Sequence, residues 1–202
     1  MSLEKAILHL SKDARLASVL QSTQLAPLEP SENVYFDLLN SIVSQQLSVR
    51  AAETIFNRFC ALFPDTYPIP EKLLETPVEQ LRAVGLSNQK ATYLKNVAAY
   101  ALDNNFDNQA WDSMSDEDVM NMLTQIKGVG RWTTEMILIF TLKRPDIFPA
   151  DDLGIQQAMT RLCGLTSTGK ALHSDMIMHA EIWRPYRSTA CRLLWRWKDQ
   201  RI

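Results

Sequence analysis

No stretch of the 202-residue sequence reaches the roughly 20 consecutive apolar residues that a membrane-crossing helix needs. The opening "MSLEKAILHLSKDARLASVL" also lacks the layout of a secretion signal, because its charges are spread along it at helical intervals. Cysteine is scarce: Cys60, Cys163 and Cys191 are odd in number and far apart. That excludes a disulfide framework and suits a reducing compartment, so a cytoplasmic chain is expected. The same scatter excludes the ligand spacing of a zinc or iron–sulfur site. Positive charge is not in excess either. Lys and Arg number 21 against 23 Asp and Glu, a net charge of −2 and a pI of about 5.9. Composition alone therefore argues against a nucleic-acid partner, since many such domains are basic. The charge is uneven, however. From Glu181 onward stand Arg184, Arg187, Arg192, Arg196, Lys198 and Arg201 against Glu181 and Asp199, and a chain that is acidic overall can still present one basic face. A solvated helix face is the plainer reading of that stretch.

What is present is an ordinary globular composition, 46% hydrophobic and 22% charged, of a length for one domain or two small modules. The apolar periodicity is helical almost throughout. "EKAILHLSKDARLASVL" reads as one amphipathic helix, and "QLAPLEPSEN" as a proline-bearing connection. "VYFDLLNSIVSQQLSVRAAETIFNRFCALF" reads as two helices broken near Leu47 and Ser48, with Ser48 as N-cap. "TPVEQLRAVG" predicts a cap at Thr76, Pro77 in the first turn, a capping box closed by Glu79, and a stop at Gly85. "SDEDVMNMLTQIKGVG" predicts a second box, Ser115 to Asp118. Three further helices follow "PDIFPADD", the last opened by Pro185. No strand, repeat or low-complexity segment stands out. The expectation is an all-α chain of about ten helices joined by short loops.

One turn carries chemistry. "IKGVGRWTTEMIL" sets two glycines around Val129 and starts a helix at once. A turn this short brings together the unpaired carbonyls of one helix end and the unpaired N–H groups of the next helix start. The N–H groups, helped by the helix dipole, bind phosphate; the carbonyls can hold a monovalent cation that bridges to it. Glycine keeps the backbone open to such an approach and permits positive φ. A plain helix stop with a structural turn accounts for the fragment equally well. Downstream, "FPADDLGIQQ" sets Asp151 and Asp152 before a helix, where one could cap while the other faces a binding site. Trp132, Trp183, Tyr186, Trp195 and Trp197 are dense for one half-chain, though tryptophans at helical spacing are more often core.

Helix, "GVG" hairpin, helix, proline-bearing loop and Asp, in that order, resemble the helix-hairpin-helix (HhH-GPD) DNA glycosylase superfamily, and within it the 3-methyladenine DNA glycosylase II branch. "IVSQQLSVRAAETI", "GLSNQKATYL", "IKGVGRWTTEMIL", "FPADDLGIQQ" and "WRPYRSTACRLLW" carry the resemblance in family order over residues 42–195. It implies an all-α fold of two helical modules with a DNA-binding cleft between them. Residues 34–144 would carry the hairpin, and 1–33 with 145–202 would form the module carrying the Asp. It implies double-stranded DNA containing a damaged base as partner, no membrane, and a monomer, since nothing in the sequence suggests an oligomer interface. The place of action would be the cytoplasm, on the nucleoid in a bacterium, or the nucleus in a eukaryote.

The resemblance also assigns residues. Asp152 matches the catalytic carboxylate, which stabilises an oxocarbenium-like sugar and orients water. Relatives that cut the strand carry a lysine just after the hairpin; Trp132 stands there and cannot form a Schiff base, so a monofunctional enzyme leaving an abasic site is implied. Trp132 and Trp195 match aromatic positions of the base pocket, where a ring face attracts a cationic alkylated purine such as 3-methyladenine or 7-methylguanine. Many members carry an aromatic residue one turn beyond Trp132; here it is Met136, which leaves the lesion range open. Gln46, beside Gln45, matches the residue inserted into the space left by the flipped base. Gly128 and Gly130 would hold a phosphate through their amides, with Val129 between them and Thr133 nearby. Lys127 replaces a common proline and could add a phosphate contact. The carbonyls of Thr124, Ile126 and Val129 would hold Na+ or K+. No catalytic cofactor and no iron–sulfur cluster are implied. Two other readings stand beside this one: a non-catalytic helix-hairpin-helix DNA-binding protein, and a glycosylase for deaminated or oxidised bases.

Overall fold

The computed structural model describes residues 2–28, 33–106 and 109–200. Among them are twelve α-helices and no strand: α1 (Leu3–Leu10), α2 (Ala14–Ser22), α3 (Val34–Ser44), α4 (Val49–Cys60), α5 (Pro70–Glu75), α6 (Val78–Ala83), α7 (Asn88–Asp103), α8 (Asp116–Leu123), α9 (Arg131–Met136), α10 (Leu153–Cys163), α11 (Gly169–Ala180) and α12 (Arg187–Lys198). Residues 29–32 of the proline-bearing connection, and Arg201, lie outside the described residues. The chain divides into two compact units, Pro30–Leu142, and Met1–Glu29 with Lys143–Ile202.

In the continuous unit, α3 packs against both α4 and α7, and α5 and α6 close on α7. Leu38, Leu39, Ile42 and Val43 of α3 are all fully buried, which makes α3 the central element. The break expected near Leu47 is present, and Ser48 Oγ accepts from the Ala51 N–H at 3.4 Å. Half of the box expected at Ser115 forms: Oγ accepts from the Asp118 N–H, while the Asp118 carboxylate accepts from the Ser115 hydroxyl at 2.6 Å in place of the Ser115 N–H. The box expected at Thr76 does not form. Thr76 ends α5 instead, its hydroxyl donating to Lys72 O at 2.7 Å, and no side chain caps α6. α9 runs directly into a π turn, Ile137–Thr141, which Thr141 fastens to α3 by donating to Asp37 Oδ2 at 2.7 Å. Such turns concentrate at functional sites.

In the second unit, α10 and α12 pack around Ile155, Met159, Trp183, Leu193 and Leu194, all fully buried. The single N-terminal helix expected from periodicity is broken here. α1 stops at Leu10 because Asp13 leaves the helix to cap α2, accepting from the Arg15 N–H at 3.0 Å. The same carboxylate accepts from the buried Trp183 indole N–H at 2.9 Å, which satisfies a donor that burial would otherwise orphan. Arg15 also donates to His179 Nδ1 at 3.0 Å. A guanidinium only donates, so that nitrogen accepts and the ring carries its proton on Nε2. Trp183 is core, as its spacing suggested. Trp197 is half-buried under the Arg161 guanidinium, 4.3 Å from the ring centroid.

Candidate active site

The "PDIFPADD" loop is anchored at its start. Arg187 donates to Asp146 Oδ1 at 2.7 Å and to the Asp146 carbonyl at 2.8 Å, while Ser188 Oγ accepts from the Ile147 N–H at 2.9 Å. These bonds fix where α10 begins, and so where Asp152 stands. α12 thus begins at Arg187, two residues after Pro185, with its first turn bound to this loop.

Asp152 is the N-cap of α10, with Oδ1 accepting from the Ile155 N–H at 2.8 Å. The same oxygen accepts from the Trp195 indole N–H at 2.7 Å. The expected division of labour, one aspartate capping and another facing a binding site, is therefore replaced. Asp152 does the capping, and Asp151 is exposed with Oδ1 3.6 Å from His173 Nε2. Two N–H groups and the positive end of a helix face one carboxylate and set its plane. Gly154 makes this possible. A Cβ there would lie 3.0 Å from both Asp152 Oδ1 and the Trp195 ring. Neither the indole bond nor the need for Gly154 was legible in the sequence, because both arise from a residue 43 positions away.

In the other unit, α8 ends at Leu123 and the chain turns through Gly128–Val129–Gly130 into α9. Ile126 and Val129 are buried and pin the hairpin to the unit's core. The two glycines differ in kind. Gly128 has φ +108°, and a Cβ there would fall 2.2 Å from the Tyr93 ring, so the fold itself demands glycine. Gly130 has φ −99° and nothing within 4 Å of a Cβ, so nothing inside the fold demands it. Its missing side chain leaves the exposed start of α9 open to an approaching group. Lys127 is exposed, with its carbonyl accepting from Asn96 Nδ2 at 2.9 Å. The carbonyl of Ile126 accepts from the Val129 N–H at 2.9 Å.

Trp132 stands on the first turn of α9 with 38% of its surface exposed, and Met136 follows half-buried. Thr133, expected beside a phosphate, is only 2% exposed, and its hydroxyl accepts from Gln45 Nε2 at 3.3 Å. Both side chains are thereby turned to joining the α3–α4 turn to α9. Gln46 is exposed with φ +59°. The basic stretch near the end of the chain is mostly engaged within its own unit. Arg184 and Arg187 pair with Asp146 and Glu181, Arg192 donates to the Ala26 carbonyl, and Lys198 pairs with Asp199. No group of His, Cys, Asp and Glu side chains suited to a metal occurs among the described residues.

Residues 39–187 match the model of the HhH-GPD superfamily of base excision DNA repair proteins. The chain belongs to that superfamily. Among HhH-GPD relatives, DNA-3-methyladenine glycosylase 1 of Schizosaccharomyces pombe is 35% identical over 201 residues, covering 96% of this chain and 87% of that protein. The alkylbase DNA glycosidase-like protein mag2 of the same organism is 34% identical, covering 95% and 92%. The solved structure of the S. pombe 3-methyladenine DNA glycosylase in complex with abasic DNA superposes with a TM-score of 0.85 at 34% identity, over 95% of each chain.

Proposed function

We propose that this HhH-GPD chain is a 3-methyladenine-type DNA glycosylase of base excision repair. It hydrolyses the N-glycosidic bond of alkylated purines flipped out of duplex DNA, and it leaves an abasic site. The observation that carries the reading is the Asp152 carboxylate, held by the Ile155 N–H and the Trp195 indole N–H together. A carboxylate fixed in this way can stabilise positive charge at C1′ as the bond breaks and can orient the attacking water. An alkylated purine is already cationic, so it departs without a general acid. The base must leave the stack before any of this. Trp132 offers a ring face to the cationic base. Tryptophan at this place, where strand-cutting relatives carry lysine, makes the enzyme monofunctional.

Duplex binding is assigned to the hairpin. The amides of Gly128 and Gly130 approach a phosphate without needing net positive charge on the chain. The carbonyls of Thr124, Ile126 and Val129 suit a monovalent cation: all three are neutral oxygens, Thr124 caps the negative end of α8, and the Ile126 oxygen keeps a second lone pair beyond its bond to Val129. Na+ or K+ bound there would bridge hairpin to phosphate. The chain acts as a monomer on double-stranded DNA containing a damaged base. No helix among the described residues is long and apolar enough to cross a membrane; the site of action is the cytoplasm, or the nucleus in a eukaryote.

The test is base release from methylated duplex DNA, with strand breaks scored separately. Wild type should release methylated purines and give nicks only after alkali, while Asp152→Asn binds duplex and releases nothing. Undiminished release by Asp152→Asn would remove the carboxylate from the mechanism. No release by wild type, with binding intact, would point first to a deaminated or oxidised base and then to a non-catalytic binder.

A further inference from the structure

Between Ser44 and Val49 the chain reverses in four residues, and Gln46 at its tip sits at φ +59°. Few residues with a Cβ adopt that conformation, and it persists only where the surroundings over-determine it. The turn is indeed held from several sides. The Leu47 N–H donates to Ser44 O at 3.2 Å, Ser48 caps α4, and Gln45 reaches Thr133. The strongest hold comes from α7. Lys90 Nζ donates to Val43 O at 2.8 Å and to Gln45 O at 2.7 Å, placing one ammonium on the last carbonyls of α3 and on the residue before Gln46. Those carbonyls have no partner within their own helix and carry the negative end of its dipole. Burial pulls the Lys90 pKa below the ordinary lysine value, because the charged form loses water there. The Lys90 backbone is fixed as well, since its N–H donates to the α7 cap Ser87 at 3.2 Å.

We propose that Lys90 is a positioning residue for base flipping: its ammonium locks the α3–α4 turn so that Gln46 stays aimed outward, ready to enter the space left by the extruded nucleotide. The proposal rests on Gln46 being the inserted residue. Without the ammonium, the turn is free to relax to negative φ and the Gln46 side chain swings away from its line of entry. Ground-state binding to duplex belongs to the hairpin and is untouched, so the loss falls on the step after binding.

The experiment compares wild type, Gln46→Ala, Lys90→Met, Lys90→Arg and the Gln46→Ala/Lys90→Met double variant. Single-turnover base release from methylated duplex is measured at saturating enzyme, with duplex affinity by fluorescence anisotropy. Lys90→Met should slow release about tenfold, the scale of a lost charge-assisted hydrogen bond, with affinity within about twofold of wild type. Lys90→Arg, which keeps charged donors, should recover most of the rate. The double variant should be no slower than Gln46→Ala alone, because the lysine acts through that glutamine. Wild-type release by Lys90→Met beside slow release by Gln46→Ala would overturn the role of Lys90 only. Independent losses that multiply in the double variant would do the same. Wild-type release by Gln46→Ala would overturn the insertion reading and this proposal with it. If Lys90→Met melts below the assay temperature, Lys90→Gln, which can reach one carbonyl at most, replaces it; a wild-type rate there overturns the proposal.

Discussion

In the proposed reaction Trp195 can act through its ring face or through its N–H to Asp152, and the two roles separate by substitution. Trp195→Phe keeps an aromatic face and removes the donor to Asp152. A hydrogen bond to a charged acceptor is worth about 1.5–3 kcal/mol, so the variant should release base about 10- to 100-fold more slowly with duplex affinity retained. A rate near wild type would return Trp195 to a pure stacking role. Gly154→Ala probes the same bond from the other side. Its Cβ, 3.0 Å from the indole ring and from Oδ1, must push one of them away. We expect a comparable loss of rate with only a small change in Tm, measured by single-turnover release and thermal denaturation. Conservative substitution is costly here because one oxygen, one indole nitrogen and one missing Cβ share the same few ångströms.

At the scale of elements, the hairpin makes two unlike predictions from two like residues. Gly128→Ala combines a left-handed backbone with a collision against Tyr93, so it should destabilise the fold by about 2–4 kcal/mol, read as a lower Tm. Gly130→Asp meets no obstacle in the fold and should leave Tm nearly unchanged. It should weaken duplex binding for all sequences alike, since the contact proposed for it is to phosphate. Affinity equal to wild type would remove Gly130 from the interface. Helix existence, the break at Ser48 and the N-cap at Ser115 were legible in the sequence because caps and periodicity act over a few residues. The break at Asp13 and the end of α5 at Thr76 were not. Asp13 leaves its helix for a tryptophan 170 positions away, and the Thr76 hydroxyl turns back to α5 rather than forward to α6. The hairpin glycines read alike as letters and diverge only once Tyr93 is packed beside one of them. Asp152 was singled out by motif order, whereas the indole bond that orients it required α12 in place.

For the whole molecule, the net charge is −2, Arg184 and Arg187 are paired with acids of their own unit, and the phosphate contact proposed for the hairpin is through backbone amides, so duplex binding should depend weakly on salt. Contacts through backbone amides add little counterion release. A plot of log affinity against log salt should slope at about −2 to −3, at about −0.9 for each neutralised phosphate. A slope beyond about −6 would mean that lysines and arginines carry the binding. Acid stability is set in part by Asp13. Burial alone raises its pKa, but the bonds from Trp183 and Arg15, with the Arg15 charge, outweigh it and hold the group below its ordinary 3.8. The stabilisation is thus present above about pH 3.8 and is lost as pH falls through the lower folded value. The Tm gap between wild type and Asp13→Asn should narrow in that window; a gap constant from pH 7 to pH 3 would contradict the assignment. The unit that holds Asp13 is assembled from segments on both sides of the other in sequence, Met1–Glu29 and Lys143–Ile202. During synthesis, α1 and α2 emerge before the hairpin unit and must wait for α12, while the hairpin unit can close once Leu142 is out. Trp195 leaves the ribosome well after the hairpin unit. A chain cut short before Trp195 would carry the finished hairpin proposed to hold DNA, yet it would lack the indole that steadies the carboxylate. Synthesis of α12 is in this way a precondition for the chemistry proposed at Asp152.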